Sequence, residues 1–227
     1  MTHHDVVRLE RSQLKDASKI AALAFDDDPV FRSLTPTDPS ARLDTLTSFF
    51  GMSLKFCDAY GDIYTTPDLQ GIAAWLPPHQ PTPTTLHLLS KIIPYRLYEW
   101  PSKFGWNNLQ RLGSFFAETD HCHEEDMQDE PHLYLFLLFV NPNFQGLGIG
   151  SVLLQHVLTQ ANRDGLPCYL LTFTEQAVRF YQKNGFEVLR NCVHYEDFPP
   201  YWTLKYKPSL QQSDELTAAS QSDRLSP

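Results

Sequence analysis

The stretch VNPNFQGLGIG, residues 140–150, constrains the fold more than any other part of the chain. It follows the apolar run LYLFLLFV and leads directly into the amphipathic segment SVLLQHVLTQANRDG. Three of the chain's ten glycines, Gly146, Gly148 and Gly150, stand at this one junction. Glycine has no Cβ, and it is used where the backbone turns sharply or is approached closely. The pattern therefore predicts a buried strand, a turn that needs bare backbone, and a helix.

Two interpretations of the glycines stay open at this point. The first N–H groups of a helix have no partner and carry a partial positive charge, so glycines that open a helix let an anion approach. The amides of residues 146–151 would then converge on a phosphate, with Leu147 and Ile149 pointing back into the core. Alternatively, the glycines only serve a tight turn that requires positive φ.

The spacing argues against two common phosphate-binding loops. A dinucleotide fold uses G-x-G-x-x-G and an acidic residue about 20 positions later, at the end of the next strand. Here the spacing is G-x-G-x-G, Asp164 precedes the next strand, and residues 171–173 at its end carry no acid. The chain also lacks the GK[ST] of a nucleoside-triphosphate loop.

Charge and cysteine content exclude several function classes. The 227 residues carry a formal net charge of −9, which argues against binding to nucleic acid or to an anionic membrane. Four widely spaced cysteines without a CxxC pair indicate neither a disulfide framework nor a zinc site. No signal peptide or membrane-spanning run is seen, so we expect a cytoplasmic protein. His121, His123 and Glu124 in DHCHEEDM are metal-ligand types, but a solvated face is the expectation here, and no metal is predicted.

The periodicity of the apolar residues predicts mixed α and β structure. Strands are expected at residues 5–9, 62–66, 71–77, 133–140, 168–173, 186–195 and 201–207, and helices at about 12–25, after Pro29, 39–59, in pieces within 86–127, at 151–163 and at 174–185. The run Leu133–Val140 is continuously apolar, which is typical of a strand buried on both faces. We predict one domain over residues 1–207, with a helical insertion at about 77–131. A disordered tail is expected at 208–227.

The motifs resemble those of the GNAT acetyltransferase superfamily. VNPNFQGLGIGSVLL is similar to its signature [Q/R]-x-x-G-x-[G/A], matched by Gln145, Gly148 and Gly150. TEQAVRFYQKNGFEVL resembles the second signature, an aromatic–Tyr pair followed by Gly-Phe. GIAAWLPP and YWTLKYK are similar to strands of the puromycin N-acetyltransferase-like branch. The resemblance implies a GNAT-like α/β fold: a mixed, mostly antiparallel central sheet flanked by helices, with a splayed pair of parallel strands.

The resemblance also implies a binding site for acetyl-CoA. The pantetheine arm would lie between the strands at 133–140 and 168–173 and bond to backbone groups of Leu138, Phe139 and Val140. The pyrophosphate would lie on amides of the turn and helix start. The cofactor-binding residues implied there are Gln145, Gly146, Leu147, Gly148, Ile149, Gly150 and Ser151.

Catalytic roles follow from the same resemblance. Tyr181 matches the tyrosine that protonates the leaving thiolate, and the alternative is that it is a core aromatic. Many relatives carry a carboxylate where Phe136 stands and an asparagine where Thr174 stands. Thr174 is therefore expected to cap the next helix and to offer its hydroxyl to the pantetheine. Tyr134 or His132, on the strand face of Phe136, is a candidate for the base, directly or through water.

The leading hypothesis is an acetyl-CoA-dependent N-acetyltransferase that acts directly on a primary amine of a small molecule, as a monomer or homodimer. A catalytically degenerate protein that binds acyl-CoA as a sensor or regulator is the alternative, and a NAD-binding reductase is a distant third. Neither nucleic acid nor membrane is expected as a partner.

Overall fold

The computed structural model describes residues 5–79, 97–192 and 198–209. Its strands are β1 (Val7–Arg8), β2 (Asp62–Thr65), β3 (Gly71–Leu76), β4 (Leu133–Val140), β5 (Cys168–Thr172), β6 (Phe186–Cys192) and β7 (Tyr201–Tyr206). They form one sheet in the order β1-β2-β3-β4-β5-β7-β6. Every neighbouring pair is antiparallel except β4 and β5, which are parallel. This is the predicted fold class, a mixed and mostly antiparallel sheet with one parallel pair.

Seven α-helices flank the sheet in the described part of the chain. They are α1 (Leu14–Ala24), α2 (Pro29–Leu34), α3 (Pro39–Tyr60), α4 (Trp100–Phe104), α5 (Trp106–Met127), α6 (Ile149–Asp164) and α7 (Glu175–Lys183). The short helix predicted after Pro29 is confirmed as α2, which begins because Asp28 caps it and proline fits the first helical position. Asp38 and Pro39 begin α3 in the same way.

Strand β3 lies near the middle of the sheet and separates two hydrophobic cores. All six of its residues are buried. Ile72, Ala74 and Leu76 pack into the core on the side of α1 to α5, whereas Ala73 and Trp75 pack into the core on the side of α6 and α7. This alternation follows from the two-residue period of a strand. Both faces of the central sheet are therefore covered by helices.

A β-bulge interrupts the pairing of β4 with β3. Ala74 pairs with Leu137 and Trp75 pairs with Leu135, so Phe136 is an extra residue without a partner on β3. Phe136 and Leu137 consequently both pack toward the core of α1 to α5. A bulge bends its strand and increases the local twist.

The parallel pairing of β4 with β5 ends at the same position. The paired residues run from Leu133 with Cys168 to Leu135 with Leu170, and the pairing does not continue beyond them. The predicted splay is therefore present. Leu133–Val140 packs against both cores, as expected of a strand covered on both faces, but only Leu135 and Phe139 are fully buried. The other residues of β4 are half-exposed, since one flank of the strand opens into a cavity.

The segment between β3 and β4 contains α4 and α5, within the range predicted as a helical insertion. The predicted tail lies outside the described residues from 210 onward, as do residues 80–96 of the proline-rich segment. Among the described helices, none combines the length and the apolar character needed to cross a membrane.

Candidate active site

A cavity of about 970 Å³ occupies the gap between the diverging ends of β4 and β5. Of the predicted site residues, those that line it are Tyr134, Leu138, Phe139, Val140, Gln145, Gly146, Gly148, Ile149, Gly150, Ser151, Thr174 and Tyr181. Leu147, which is also predicted to bind the cofactor, does not line the cavity. The cavity continues past β4 to residues of α1, α2 and α5. The strand, the glycine turn and Tyr181 thus meet at one site.

The glycine turn is held in a conformation that other residues adopt at a cost. Gly146 has φ +79° and Gly148 has φ +81°, in the left-handed region, and Gly148 is the N-cap residue of α6. A Cβ at either position would meet no atom within 4 Å. Gly150 lies inside the first turn of the helix, where a Cβ would meet the ring of Phe180 at 3.4 Å. The turn interpretation accounts for the positive φ values, and the open space beside both glycines leaves room for an anion.

Hydrogen bonds fix the path of the loop before the helix. The amide of Asn141 donates to the carbonyl of Gln70, 2.8 Å away, and the Asn141 side chain accepts from the amide of Asn143 at 3.1 Å. The side-chain amide of Gln145 donates to the carbonyl of Val140, 3.4 Å away. These contacts tie the loop to the end of β4 and to the turn before β3.

Leu147 departs from the expectation that it points into the core. Its exposed fraction is 59%, whereas Ile149 is 1% exposed. Leu147 stands between Gly146 and Gly148, whose positive φ values turn the loop outward before the helix begins. Only Ile149 follows the prediction.

Tyr181 on α7 combines a packed ring with an available hydroxyl. Its ring contacts Phe180 and Phe186 at centroid distances of 5.1 and 5.7 Å, and the residue is 7% exposed. Within the described residues its hydroxyl makes no hydrogen bond, and the residue is part of the cavity wall. Burial raises the pKa of the Tyr181 phenol, so the hydroxyl keeps its proton at neutral pH. The residue therefore packs in the core with its ring, carries a protonated hydroxyl and borders the cavity.

Tyr134 lines the same cavity, but its protonation does not favour a base. Burial is the main cause that raises the pKa of its phenol, and the charge of Asp120 adds to the effect. A phenol with a raised pKa is neutral at physiological pH and gives a proton rather than taking one. Its ring packs 5.9 Å from that of Phe136, on the shared strand face that the sequence predicts.

His132 lies away from the cavity wall, at the beginning of β4. Its Nε2 lies 2.6 Å from Nε2 of His123, and its Nδ1 lies 2.7 Å from the carbonyl oxygen of Glu130. Burial lowers the pKa of His123 to about 4 and also lowers that of His132. The prediction that DHCHEEDM forms a solvated face is therefore wrong for His123. Its ring stacks on that of Tyr169, with the ring centroids 4.4 Å apart. In the described ranges, no group of three or more His, Cys, Asp or Glu side chains is arranged to hold a metal ion.

Thr174 caps α7 as predicted. Its hydroxyl oxygen accepts a hydrogen bond from the amide of Ala177, 3.2 Å away, which satisfies one of the free N–H groups of the helix start. The residue also borders the cavity.

Several residues of the cavity wall escaped the sequence analysis. They are the acidic residues Asp27, Asp28 and Asp120, the basic residue Lys183, and a set of phenylalanines that includes Phe31, Phe115 and Phe173. The Asp28–Pro29 pair signals a helix start in the sequence. Nothing local indicates that this carboxylate borders the same cavity as β4, because the two are far apart in the chain.

Comparisons with known proteins agree with this geometry. The model of the Acetyltransferase (GNAT) family matches residues 88–186. N-alpha-acetyltransferase 50 of Danio rerio is 32% identical over 98 residues, which are 41% of this chain and 55% of that protein. Peptidyl-lysine N-acetyltransferase YjaB of Salmonella typhimurium is 41% identical over 68 residues, 27% of this chain and 46% of that protein. The chain thus spans about half the length of these curated relatives.

A solved structure extends the likeness to nearly the whole chain. The histone acetyltransferase HPA2 and related acetyltransferase from Corynebacterium glutamicum superposes with a TM-score of 0.64 and 20% identity. The superposition covers 92% of this chain and 98% of that structure. At this identity the likeness establishes the fold. The family match spans the glycine turn and Tyr181, so this part of the chain is similar to the GNAT acetyltransferase family.

Proposed function

We propose that the chain is an acetyl-CoA-dependent N-acetyltransferase that transfers the acetyl group directly to a primary amine of a small molecule. The observation that carries this proposal is the cavity between β4 and β5. It joins the start of α6 to the hydroxyl of Tyr181, with the unpaired flank of β4 between them. A binding groove and a proton donor therefore share one space.

The start of α6 fits the pyrophosphate of coenzyme A. The first N–H groups of a helix lack intrahelical acceptors and favour an anion. At Gly146 and Gly148 no Cβ occupies the adjoining space, and Gly148 provides no side-chain cap that would compete for these amides. Lys183, which borders the cavity, adds a positive charge.

The open flank of β4 fits a pantetheine arm. After Leu135, the backbone groups of β4 that face β5 have no strand partner, and buried backbone groups rarely stay unpaired. An extended chain bearing amides satisfies such groups as an added strand would. We assign this role to Leu138, Phe139 and Val140, with Thr174 at the end of β5 on the opposite side.

The chemistry requires orientation and one proton donor. Acetyl-CoA, when bound, supplies an acetyl group activated as a thioester. Tyr181 holds a proton at its phenol oxygen and gives it to the departing sulfur. A backbone N–H of β4 near Leu138 polarises the carbonyl oxygen under attack. Holding the two reactants in the same cavity supplies much of the remaining rate enhancement.

The size of the cavity is the argument for a small-molecule acceptor. The cavity volume, about 970 Å³, lies at the upper end of the range for small-molecule sites, roughly 300–1,000 Å³. The two curated relatives are named for other acceptors, a protein α-amine and a peptidyl lysine. A peptide amine is therefore the acceptor class to test against a small molecule.

One observation favours the rival function, a catalytically degenerate acyl-CoA-binding protein. Phe136 occupies the bulge of β4, where the resemblance leads one to expect a carboxylate, so β4 contributes no base. The free hydroxyl of Tyr181 opposes this interpretation, because a mere sensor has no use for a proton donor at that position.

Incubation of the purified protein with acetyl-CoA and a panel of amines, followed by measurement of free thiol, distinguishes the two functions. Acetyl transfer supports the enzyme. Binding of coenzyme A without transfer to any amine would establish the degenerate protein. A thermal-shift comparison of coenzyme A with NAD tests the third hypothesis, since only a NAD-binding reductase is stabilised by NAD.

A further inference from the structure

The part of the cavity beyond β4 has a lining unlike that of the part near α6. Residues of α1, the α1–α2 connection, α2 and α5 enclose it. Its walls carry the carboxylates of Asp27, Asp28 and Asp120, whereas the one lysine or arginine in the described lining, Lys183, belongs to α7 near the glycine turn. The two halves thus differ in charge: the half near α6 suits phosphates, and the other half suits a cation.

Asp28 is a carboxylate in this half whose position is fixed by hydrogen bonds to backbone amides. Its Oδ1 accepts hydrogen bonds from the amides of Val30 and Phe31, at 2.9 and 3.3 Å. Its Oδ2 makes no hydrogen bond within the described residues. One oxygen therefore anchors the group to α2, and the other is left for a ligand in the cavity.

The other acidic groups nearby have interaction partners of their own. Asp27 pairs with Arg32 at 2.9 Å, and Asp26 pairs with Arg42 at 2.9 Å. From the facing elements, Tyr134 on β4 is neutral, and Arg111 on α5 donates to the carbonyl of Ser33. Asp120 on α5 also has an interaction partner.

Burial raises the pKa of Asp28 to about 6, while its two backbone hydrogen bonds act in the opposite direction. None of the neighbouring charges is among these causes, so the shift reflects the position of the carboxylate beside the cavity. A carboxyl with this pKa is ionised at neutral pH and still accepts a proton readily, as a general base should.

Aromatic rings form the wall next to Asp28. Phe31 lies edge-on to Phe173, with ring centroids 6.5 Å apart, and Phe115 lies 5.7 Å from Phe173 on the other side. Phe25 contacts Phe31 at 5.6 Å and Phe139 at 6.0 Å. Such a wall takes an apolar or aromatic body and also favours a cation over a ring face.

We infer that Asp28 is the general base of the proposed transferase, and that the acceptor is a primary amine attached to an apolar body of about the size of one aromatic ring. This inference rests on the proposed function and names its acceptor class and the base that β4 does not provide. Asp28 touches the reacting nitrogen in this proposal.

The protons balance as follows. An ammonium group, R–NH₃⁺, gives one proton to Oδ2 of Asp28 and becomes the nucleophile R–NH₂. Its nitrogen bonds to the acetyl carbon while the carbon–sulfur bond breaks, and the sulfur receives the proton of Tyr181. The second proton of the nitrogen returns the Tyr181 phenol to its neutral form, and Asp28 releases its proton to solvent. The products are R–NH–acetyl, a thiol and one proton.

Asp28→Asn tests the base without removing the helix cap, since asparagine caps a helix about as well as aspartate. Asp38→Asn is the matched control: Asp38 also precedes a proline, caps α3 through the amide of Ala41 at 2.8 Å, and lies outside the cavity wall. With 2-phenylethylamine as acceptor, we expect Asp28→Asn to lower kcat/KM by about 10²–10⁴-fold. In the wild type and in Asp38→Asn, kcat/KM should rise with pH through about 6, and Asp28→Asn should lose that rise.

Four acceptors at equal concentration test the pocket. We expect 2-phenylethylamine to be preferred over ethanolamine, which lacks the ring, and over phenylalanine, whose carboxylate faces Asp27 and Asp28. A short peptide with a free N-terminus is the fourth acceptor, and a preference for it would overturn the inference. So would a wild-type rate and pH profile in Asp28→Asn.

Failure of the inference is distinguishable from failure of the proposed function. Coenzyme A binding, measured by calorimetry on the same samples, should be equal in the wild type and both asparagine variants. If transfer occurs but neither Asp28 nor the ring matters, the inference alone is wrong. If no amine is acetylated by the wild type, the proposed function fails with it.

Discussion

Nε2 of His123 and Nε2 of His132 lie 2.6 Å apart, so one ring nitrogen must donate a proton and the other must accept it. Nδ1 of His132 lies 2.7 Å from the carbonyl oxygen of Glu130, which can only accept. His132 therefore carries its proton on Nδ1, and Nε2–H of His123 is the donor. Both rings are neutral in this arrangement, in agreement with the lowered pKa of each.

This pair makes the stability of the fold dependent on pH. The pKa of His123 falls from 6.5 to about 4 on folding, so between these values the unfolded chain binds more protons than the native state. The contribution of His123 to the free energy of unfolding should be complete above pH 6.5 and should decrease as the pH falls toward 4.

His123→Phe tests this dependence, because phenylalanine preserves the stacking on Tyr169 and does not titrate. Chemical denaturation at several pH values should show a shallower fall in stability for this variant than for the wild type. His121→Gln removes an exposed histidine from the same helix and controls for the loss of a histidine as such. Equal slopes in His123→Phe and the wild type would show that the pair is not neutral in the folded state.

Tyr181→Phe should lower the rate of acetyl transfer by about 10²–10⁴-fold while leaving the affinity for acetyl-CoA almost unchanged. The loss corresponds to about 3–5 kcal/mol in the barrier. The ring still packs on Phe180 and Phe186, and only the hydroxyl is removed. Steady-state kinetics and calorimetry give the two quantities.

Tyr206→Phe is the matched control for Tyr181→Phe. Tyr206 also packs on Phe186, at 5.5 Å, but its hydroxyl donates to Asn162 and it lies outside the cavity wall. We expect wild-type turnover in this variant. A thioester with a more acidic thiol should also reduce the effect of Tyr181→Phe, because its thiolate leaves without a proton. Normal turnover by Tyr181→Phe across the pH range would assign Tyr181 to the core alone.

Asp28→Asn should gain stability relative to the wild type as the pH rises from 4 to 7. The pKa of Asp28 is raised from 3.8 to about 6 on folding, so its contribution to stability is complete below pH 3.8 and is lost as the pH rises through 6. Asparagine does not titrate and escapes this loss. Asp38→Asn reports the cost of exchanging an aspartate cap for asparagine. A difference between Asp28→Asn and the wild type that is independent of pH would show that Asp28 is not buried as described.

Local signals in the sequence were sufficient for the elements around the site. The apolar run before Gly146 and the amphipathic run after Gly150 predict β4 and α6, and the turn residues between them predict the positive φ values. Thr174 caps the start of α7 as expected, and Gly185, whose φ is positive, follows its end, where glycine is favoured.

The arrangement of the site depends on contacts that no local pattern contains. LYLFLLFV is apolar on both faces whether or not the strand is bulged, so neither the bulge at Phe136 nor the end of pairing after Leu135 can be read from it. Asp28 borders the cavity because α2 packs against α5, which is far from it in the chain. His123 meets His132 because α5 ends beside the start of β4, and their separation of nine residues fits neither helical nor strand periodicity.

The glycine turn can be tested without confusing lost backbone freedom with lost ligand binding. Gly148 has φ +81° and open space around it, so any other residue is strained there, but asparagine and aspartate adopt this conformation more readily than most. Gly148→Asn and Gly148→Asp should therefore unfold at similar temperatures. Aspartate places a negative charge where we propose the pyrophosphate binds.

Repulsion between like charges about 4 Å apart is worth roughly 1–4 kcal/mol near a protein surface. Gly148→Asp should therefore bind coenzyme A about 5-fold to 1,000-fold more weakly than Gly148→Asn. Calorimetric titration of both variants, with melting temperatures from the same preparations, gives the comparison. If the two bind coenzyme A equally well, or lose binding only in proportion to a lowered melting temperature, the glycines serve the turn and the phosphate lies elsewhere.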